Sequence, residues 1–252
     1  MKILITGKNG FIAKALINNL KYDITGVGRE DFDLTSREET NRWLEGKHFD
    51  VVIHTAIVGG SRLKQDDGEV FYQNLSMFFN LLVNKDKFTQ LITFGSGAEL
   101  GDPFDPYGLS KNIINRIIQS ETKINSIRIY GVFGADEWDS RFIKANIRRY
   151  INKESLNIHQ NKIMDFFYID DLVSLVEKVI QDPSIKEIDS SYEESYSLLD
   201  IANIINQLSQ HRCTIEVDNQ GLGQQYRGEH KPVGLDYIGL KKGIERVYES
   251  IN

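Results

Sequence analysis

Tyr107 and Lys111 are four positions apart in Tyr107-Gly108-Leu109-Ser110-Lys111, so on a helix they share one face. An ammonium beside a phenol lowers the phenol pKa, and the pair can then pass a proton to an oxygen that is gaining negative charge. The same spacing also occurs in solvated helix pairs, so its meaning depends on what precedes it. Ser96 follows the apolar run 91–94, where its hydroxyl can hydrogen-bond a reacting oxygen or, equally, cap a turn. Asn74, in Tyr72-Gln73-Asn74, can brace a helix and hold a water that relays the proton, or have no role at all.

A second constellation stands at the start of the chain, in Thr6-Gly7-Lys8-Asn9-Gly10-Phe11-Ile12-Ala13. It lies between an apolar strand, Lys2–Thr6, and a helix whose Phe11, Ile12, Ala15, Leu16 and Leu20 recur at helical spacing. Gly7 permits a tight turn, Gly10 lets a pyrophosphate approach the backbone, and the small Ala13 allows close helix packing. The helix N-terminus adds N–H groups and a partial positive charge. This is the setting a dinucleotide fingerprint requires, with Asn9, Phe11 and Ile12 lining it. The second strand ends at Gly28-Arg29, where an acidic residue would bind an unphosphorylated ribose; Arg29 instead suits a 2′-phosphate. NADP is therefore the expected cofactor, with NAD as the alternative because Glu30 and Asp31 follow.

These residues need a scaffold, and the hydrophobic pattern supplies one. Apolar strand runs at Lys2–Thr6, 24–27, 51–53, 91–94 and 127–129 alternate with helical patterns at 36–44, 71–83 and after Tyr107. Repeated β-α-β units predict an α/β fold, a doubly wound parallel Rossmann sheet with helices on both faces. After Gly134 the rhythm weakens into a loop and a basic helix with Arg148 and Arg149. It returns at 165–180 as a short strand and an amphipathic helix, and beyond 185 one clear helix stands out at 197–208. The expected division is a dinucleotide-binding domain at 1–134 and 165–184, with a small C-terminal substrate-binding lobe from 135–164 and 185–252. The catalytic cleft is expected between them, at the C-terminal ends of the strands.

At 252 residues, with 40% apolar and 26% charged side chains, the composition is that of an ordinary globular protein. A net charge of -6 disfavours nucleic acid or an anionic membrane as a partner. Cys213 is the only cysteine, and His48, His159, His211 and His230 lack ligand spacing, so no metal site is expected. There is no Gly-x-Ser-x-Gly elbow and no phosphate-loop Gly-Lys-Ser/Thr, which removes hydrolase and kinase readings. The start runs straight into a motif-bearing strand, and no apolar stretch approaches the roughly 18 to 20 residues that span a bilayer, so a cytoplasmic protein is expected.

The spacing of Gly7, Gly10 and Ala13 resembles the TGxxGxxG form of extended short-chain dehydrogenases. Further matches run in order through Val51-Val52-Ile53-His54-Thr55-Ala56 with Gly59-Gly60, Tyr72-Gln73-Asn74, Gly95-Ser96, Tyr107-Gly108-Leu109-Ser110-Lys111, Arg128-Ile129-Tyr130-Gly131-Val132-Phe133-Gly134 and Asp165-Phe166-Phe167-Tyr168-Ile169-Asp170-Asp171. The chain thus resembles the NAD-dependent epimerase/dehydratase family, and its double glycine is especially similar to GDP-fucose synthases. The resemblance implies a nucleotide-sugar substrate and a Ser96/Tyr107/Lys111 catalytic set, with Lys111 also reaching the cofactor ribose. It further implies Asp33-Leu34 beside the adenine, His54-Thr55-Ala56 along the cofactor cleft, and a homodimer through helices near 71–83 and 112–120. Asp170 and Asp171 taken alone read as helix-start residues and are given no catalytic role.

Two departures bear on the reaction. The synthases carry a Cys two positions after the Ser and a His in the substrate loop, which move carbon-bound protons; here Ala98 and Arg141 stand there. Arginine stays protonated and better suits a phosphate or hydroxyl contact. The expected activity is reduction of a 4-keto sugar nucleotide without epimerisation at C3 or C5, with C4 epimerisation as the alternative. The second departure is the short connection from Ser96 to Tyr107, whose two prolines should stiffen it. It keeps a different class open, a dinucleotide-binding sensor or scaffold without catalysis.

Overall fold

The computed structural model describes residues 1–61, 65–101 and 104–252. In chain order its elements are β1 (Lys2–Thr6), α1 (Phe11–Asn19), β2 (Asp23–Val27), α2 (Arg37–Leu44), β3 (Phe49–His54), α3 (Gly68–Leu82), β4 (Phe88–Ser96), a short 3-10 helix (Gly97–Leu100), α4 (Pro106–Ile118) and β5 (Ile124–Ile129). There follow β6 (Val132–Phe133), α5 (Phe142–Ile151), β7 (Leu156–Gln160), β8 (Phe167–Tyr168), α6 (Ile169–Gln181), β9 (Glu187–Asp189), α7 (Leu198–Ile205), β10 (Ile215–Asn219) and α8 (Leu240–Ile251). The chain divides into two compact units, Met1–Arg128 with Leu175–Ile188, and Ile129–Ser174 with Asp189–Asn252.

The first unit is built on a six-stranded sheet of order β2-β1-β3-β4-β5-β9, in which β1 pairs with β2 and β3, and β3 with β4, all parallel. Ile3, Leu4 and Ile5 are wholly buried, as are Val52 and Ile53, because a parallel strand covered on both faces has no wet side. On one face Leu4, Val52 and Leu91 pack with Met77, Phe78 and Leu81 of α3 and Ile114 and Ile118 of α4. Trp43 of α2 stacks between Phe32 and Phe49, with ring centroids 5.0 and 6.2 Å away.

The second unit contains two parallel strand pairs, β6 with β8 and β7 with β10, together with α5, α7 and α8. Tyr150 of α5 is fully buried, stacks on His211 at 4.0 Å and bonds Ser209 Oγ through its hydroxyl at 2.8 Å. Asp171, in the first turn of α6, accepts from the Tyr192 hydroxyl and from the N–H groups of Ile238 and Gly239, so it fastens the C-terminal segment. The region beyond 185 holds more than the single helix its pattern suggested. The helix read at 197–208 ends at Ile205, and β9, β10 and α8 were not foreseen. In α8 the inward Leu240, Ile244 and Val247 are separated by charged residues, which masks the apolar stripe.

Candidate active site

In the order β2-β1-β3 the chain leaves β1 toward one neighbour and later returns on the other side, so the turns after β1 and β3 meet at a topological switch point. Gly7, directly after β1, has φ +72, and a Cβ there would stand 2.8 Å from both N and Cα of Ala56. A side chain is excluded by the backbone conformation and by the neighbour together. Gly10 N-caps α1 and no side-chain cap bond closes off its first turn, which contains Phe11, Ile12 and the fully buried Ala13. Beside this turn Thr55 Oγ1 donates to Thr6 O at 2.6 Å, and Ala56 N–H donates to Thr6 Oγ1 at 3.3 Å. Thr6 Oγ1 also lies 2.9 Å from His54 Nδ1. Burial, and then the charge of Lys111, push the His54 pKa down to about 3, so the imidazole is neutral.

Tyr107 sits in the first turn of α4, which Asp105 caps by accepting from Gly108 N–H at 2.8 Å, with Pro106 at the first helical position. Of the two prolines expected to stiffen this connection, Pro106 is at the helix start, and Asp102 and Pro103 lie outside the described residues. The loop after β3 lies against the tyrosine: Gly60 has φ +73, and a Cβ on it would come within 2.8 Å of Tyr107 Cζ. Lys111 lies on the same helix with Nζ 5.9 Å from the Tyr107 ring centroid, and it donates to Phe94 O at 2.6 Å. Lys111 is 8% exposed, and burial brings its pKa down to about 8 while the charge of Glu99 works the other way.

Asn74 is 1% exposed and uses its amide as a clamp. Its Oδ1 accepts from Val58 N–H and its Nδ2 donates to Val58 O, both at 3.0 Å, and Nδ2 also donates to Ser110 Oγ at 3.3 Å. Both amide hydrogens are committed to the loop and α4, so only a lone pair of Oδ1 remains for a relay water. Ser96 is the last residue of β4 and caps the 3-10 helix, with Oγ accepting from Ala98 N–H at 3.2 Å. The cap reading of this serine is thus realised; it uses an oxygen lone pair and not the hydroxyl hydrogen. Glu99 completes the capping box by accepting from Ser96 N–H at 3.2 Å. Sequence reasoning passed over Glu99, although Ser96-Gly97-Ala98-Glu99 carries the capping-box signature.

At the far end of the turn, Lys8 pairs with Asp31 at 2.6 Å and Glu30 at 3.2 Å, and Asn9 donates to Glu30 at 3.1 Å. The two acids that stood against a phosphorylated ribose are therefore engaged by Lys8 and Asn9, while the exposed Arg29 is tied to neither. Lys8 is a second cation that the sequence reading did not single out. The Asp33 carboxylate turns back on Thr35, and Leu34 is buried in the core, its carbonyl accepting from Asn80. All these residues belong to the first unit, whereas Arg141 belongs to the second. Arg141 precedes α5 and is 3.9 Å from the buried Glu137, whose carboxyl burial pushes up to about 8. Among the described residues no group of three or more His, Cys, Asp or Glu is placed to hold a metal, and no helix is long and apolar enough to cross a membrane.

No curated protein matches the chain in sequence. Solved structures share its fold: a GDP-mannoheptose C4 reductase from Campylobacter jejuni with NADP bound aligns at TM-score 0.83 and 16% identity, over 99% of this chain and 97% of that one. Thermus thermophilus UDP-glucose 4-epimerase in complex with NAD aligns at 0.81 and 16% identity, over 99% and 98%. A GDP-L-fucose synthetase from Naegleria fowleri bound to NADP aligns at 0.75 and 16%, over 98% and 91%. Residues 3–193 match the family model described as NAD dependent epimerase/dehydratase family. With that match over most of its length, and the glycine turn and Tyr107/Lys111 pair in one unit, the chain belongs to the NAD dependent epimerase/dehydratase family of enzymes.

Proposed function

We propose that the chain is an NADPH-dependent reductase of a 4-keto sugar nucleotide, in which Ser96, Tyr107 and Lys111 deliver the proton to the C4 oxygen. The observation that carries this reading is the setting of Tyr107, its ring against Gly60 and a buried lysine 5.9 Å from it. The glycine turn fits the cofactor: Gly7 and Gly10 leave a cradle that a Cβ at position 7 would close, in front of an uncapped helix N-terminus. Gly7, Asn9, Gly10, Phe11 and Ile12 would hold the pyrophosphate, Arg29 the 2′-phosphate, Asp33 and Leu34 the adenine, and His54, Thr55, Ala56 and Asn74 the nicotinamide side. When bound, the reduced nicotinamide supplies the hydride. Tyr107 gives its phenolic proton to the oxygen, Ser96 donates a hydrogen bond to the same oxygen, and Lys111 stabilises the phenolate left behind and holds the ribose.

The Ala98 side chain has no group that can exchange a proton, and the guanidinium of Arg141 suits a phosphate or hydroxyl contact instead of removing a carbon-bound proton. In this reading residues 1–134 with 165–184 serve the cofactor and 135–164 with 185–252 the sugar nucleotide. The enzyme works in the cytoplasm as a homodimer. C4 epimerisation is the second reading, because the same residues serve hydride transfer in either direction and the T. thermophilus 4-epimerase shares the fold over 99% of the chain. The test is turnover of a 4-keto-6-deoxy sugar nucleotide with NADPH in deuterated water. Stoichiometric NADPH consumption with no deuterium at C3 or C5 is expected. Deuterium at either carbon defeats the reading, C4 inversion without net NADPH consumption replaces it with the epimerase, and cofactor binding without turnover on any substrate points to a sensor.

A further inference from the structure

We propose that Glu99 is a positioning residue of this site, joining the end of β4 that carries Ser96 to the helix that carries Tyr107 and Lys111, with its negative charge set against Lys111. The inference rests on the proposed function and deepens it. Glu99 is 5% exposed on the 3-10 helix, and its acceptor atoms are shared among β4, α4 and β5. Oε2 accepts from Ser96 N–H at 3.2 Å; Oε1 accepts from Asn115 Nδ2 at 3.2 Å and from Arg128 Nε; the backbone oxygen accepts from Asn112 Nδ2 at 2.9 Å. Asn112 and Asn115 lie one and four residues beyond Lys111 on α4. Two glycines make the approach possible, since a Cβ on Gly95 would stand 3.0 Å from Glu99 Oε2 and one on Gly108 2.6 Å from Ala98 O.

The charges are arranged to the same end. Around Lys111 stand the Phe94 carbonyl of β4, the Tyr107 ring of α4 and, acting at longer reach, the neutral His54 of β3 and Glu99. Glu99 is the group whose charge opposes the loss of the Lys111 ammonium on burial. Arg128 of β5 pairs with Glu99 and with Glu187 of β9. Burial raises the Glu99 pKa and Arg128 opposes that shift. A structural ion pair would need Arg128 alone; this carboxylate also holds Ser96 N–H of β4 and Asn115 of the helix that carries Lys111.

The experiment compares Glu99→Gln, Glu99→Asp and Glu187→Gln with the parent in two readouts. One is the pH profile of kcat for NADPH-dependent reduction. The other, which needs no substrate, is the NMR titration of Lys111 in protein carrying 13Cε-labelled lysine, assigned by the signal missing from Lys111→Arg. Glu99→Gln should lower kcat by about tenfold to a hundredfold at neutral pH, with a smaller change in KM. It should also move both the alkaline limb and the Lys111 midpoint to lower pH. Glu99→Asp keeps the charge but shortens the reach, so the limb should stay while kcat falls; this variant decides the matter if the glutamine protein does not fold. Glu187→Gln removes the other partner of Arg128 and should behave as the parent. An unmoved Lys111 midpoint in Glu99→Gln, parental kcat in Glu99→Asp, or an equal shift in Glu187→Gln overturns the proposal. A parent that turns over no 4-keto sugar nucleotide overturns the proposed function instead, and the lysine titration still decides the role of Glu99.

Discussion

A phenol is a weak acid, and in the proposed reaction Tyr107 would be made a useful one by the charge that Lys111 carries in a dry setting. Burial places that charge near its limit, with the Lys111 pKa at about 8. The ammonium is present below that pH and is lost above it, so the rate of reduction should fall as pH rises through about 8. His54, held down at about 3, contributes no limb near neutrality. Removing only the proton donor, in Tyr107→Phe, should leave folding and NADPH binding intact and lower kcat by about 10²- to 10⁴-fold. Near-normal turnover in the purified variant would sink the assignment. At the other end of the cofactor, Arg29→Ala should weaken NADPH binding by about tenfold, the worth of one charge-assisted contact, and leave NADH binding unchanged. Fluorescence titration with both cofactors measures this, and tighter NADH binding by the parent with no loss in the variant would reverse the preference.

Between residue and molecule, the loop from Thr55 to Gly60 has the most to hold. Thr6 anchors its start, Asn74 of α3 clamps Val58 by both backbone groups, and Gly60 lies against the Tyr107 ring. Since Asn74 also bonds Ser110 of α4, whose Oγ donates to Tyr107 O at 2.7 Å, the loop and the helix are fixed to each other. Gly60→Ala should therefore displace the ring: its Cβ meets Tyr107 Cζ at 2.8 Å, and φ +73 adds strain of about 1–3 kcal/mol. The expected outcome is a kcat loss of about a hundredfold with NADPH affinity retained and a modestly lower Tm. Unchanged kcat would show that the loop does not set the position of the phenol.

For the whole molecule, the unresolved business of the first unit lies on α3. Tyr72, Phe79 and Val83 are 62, 40 and 49% exposed at positions seven and eleven apart, which is one helix face, and such an apolar stripe is costly to leave wet. A homodimer would cover it with the same face of a second copy. Analytical ultracentrifugation of the parent should show a dimer, and Phe79→Glu, which places a charge in the middle of the stripe, should shift it to monomer without lowering the helix content seen by circular dichroism. A monomeric parent removes the dimer from the proposal.

What was legible in the sequence is what chain-local physics controls. The strand, glycine turn and helix of residues 2 to 19 follow from apolar periodicity and from the need for a residue without Cβ at Gly7. The Tyr107/Lys111 face follows from the four-residue helical repeat. The parallel sheet of the first unit followed from the β-α-β rhythm, whereas its strand order did not. The short elements of the second unit did not: β7 buries only Leu156 and Ile158, and β10 is almost wholly exposed, so neither leaves a periodic signal. The remaining decisions needed residues distant along the chain to meet. Arg128 is 29 positions from Glu99 and 59 from Glu187, so no local pattern could assign Glu99 its partners. Nor could spacing say that Lys111 would be buried, which is what moves its pKa to about 8. Residue types and local spacing determined which chemistry the chain can hold; burial and long-range pairing, which exist only after the sheet has formed, decided how strongly each group is tuned.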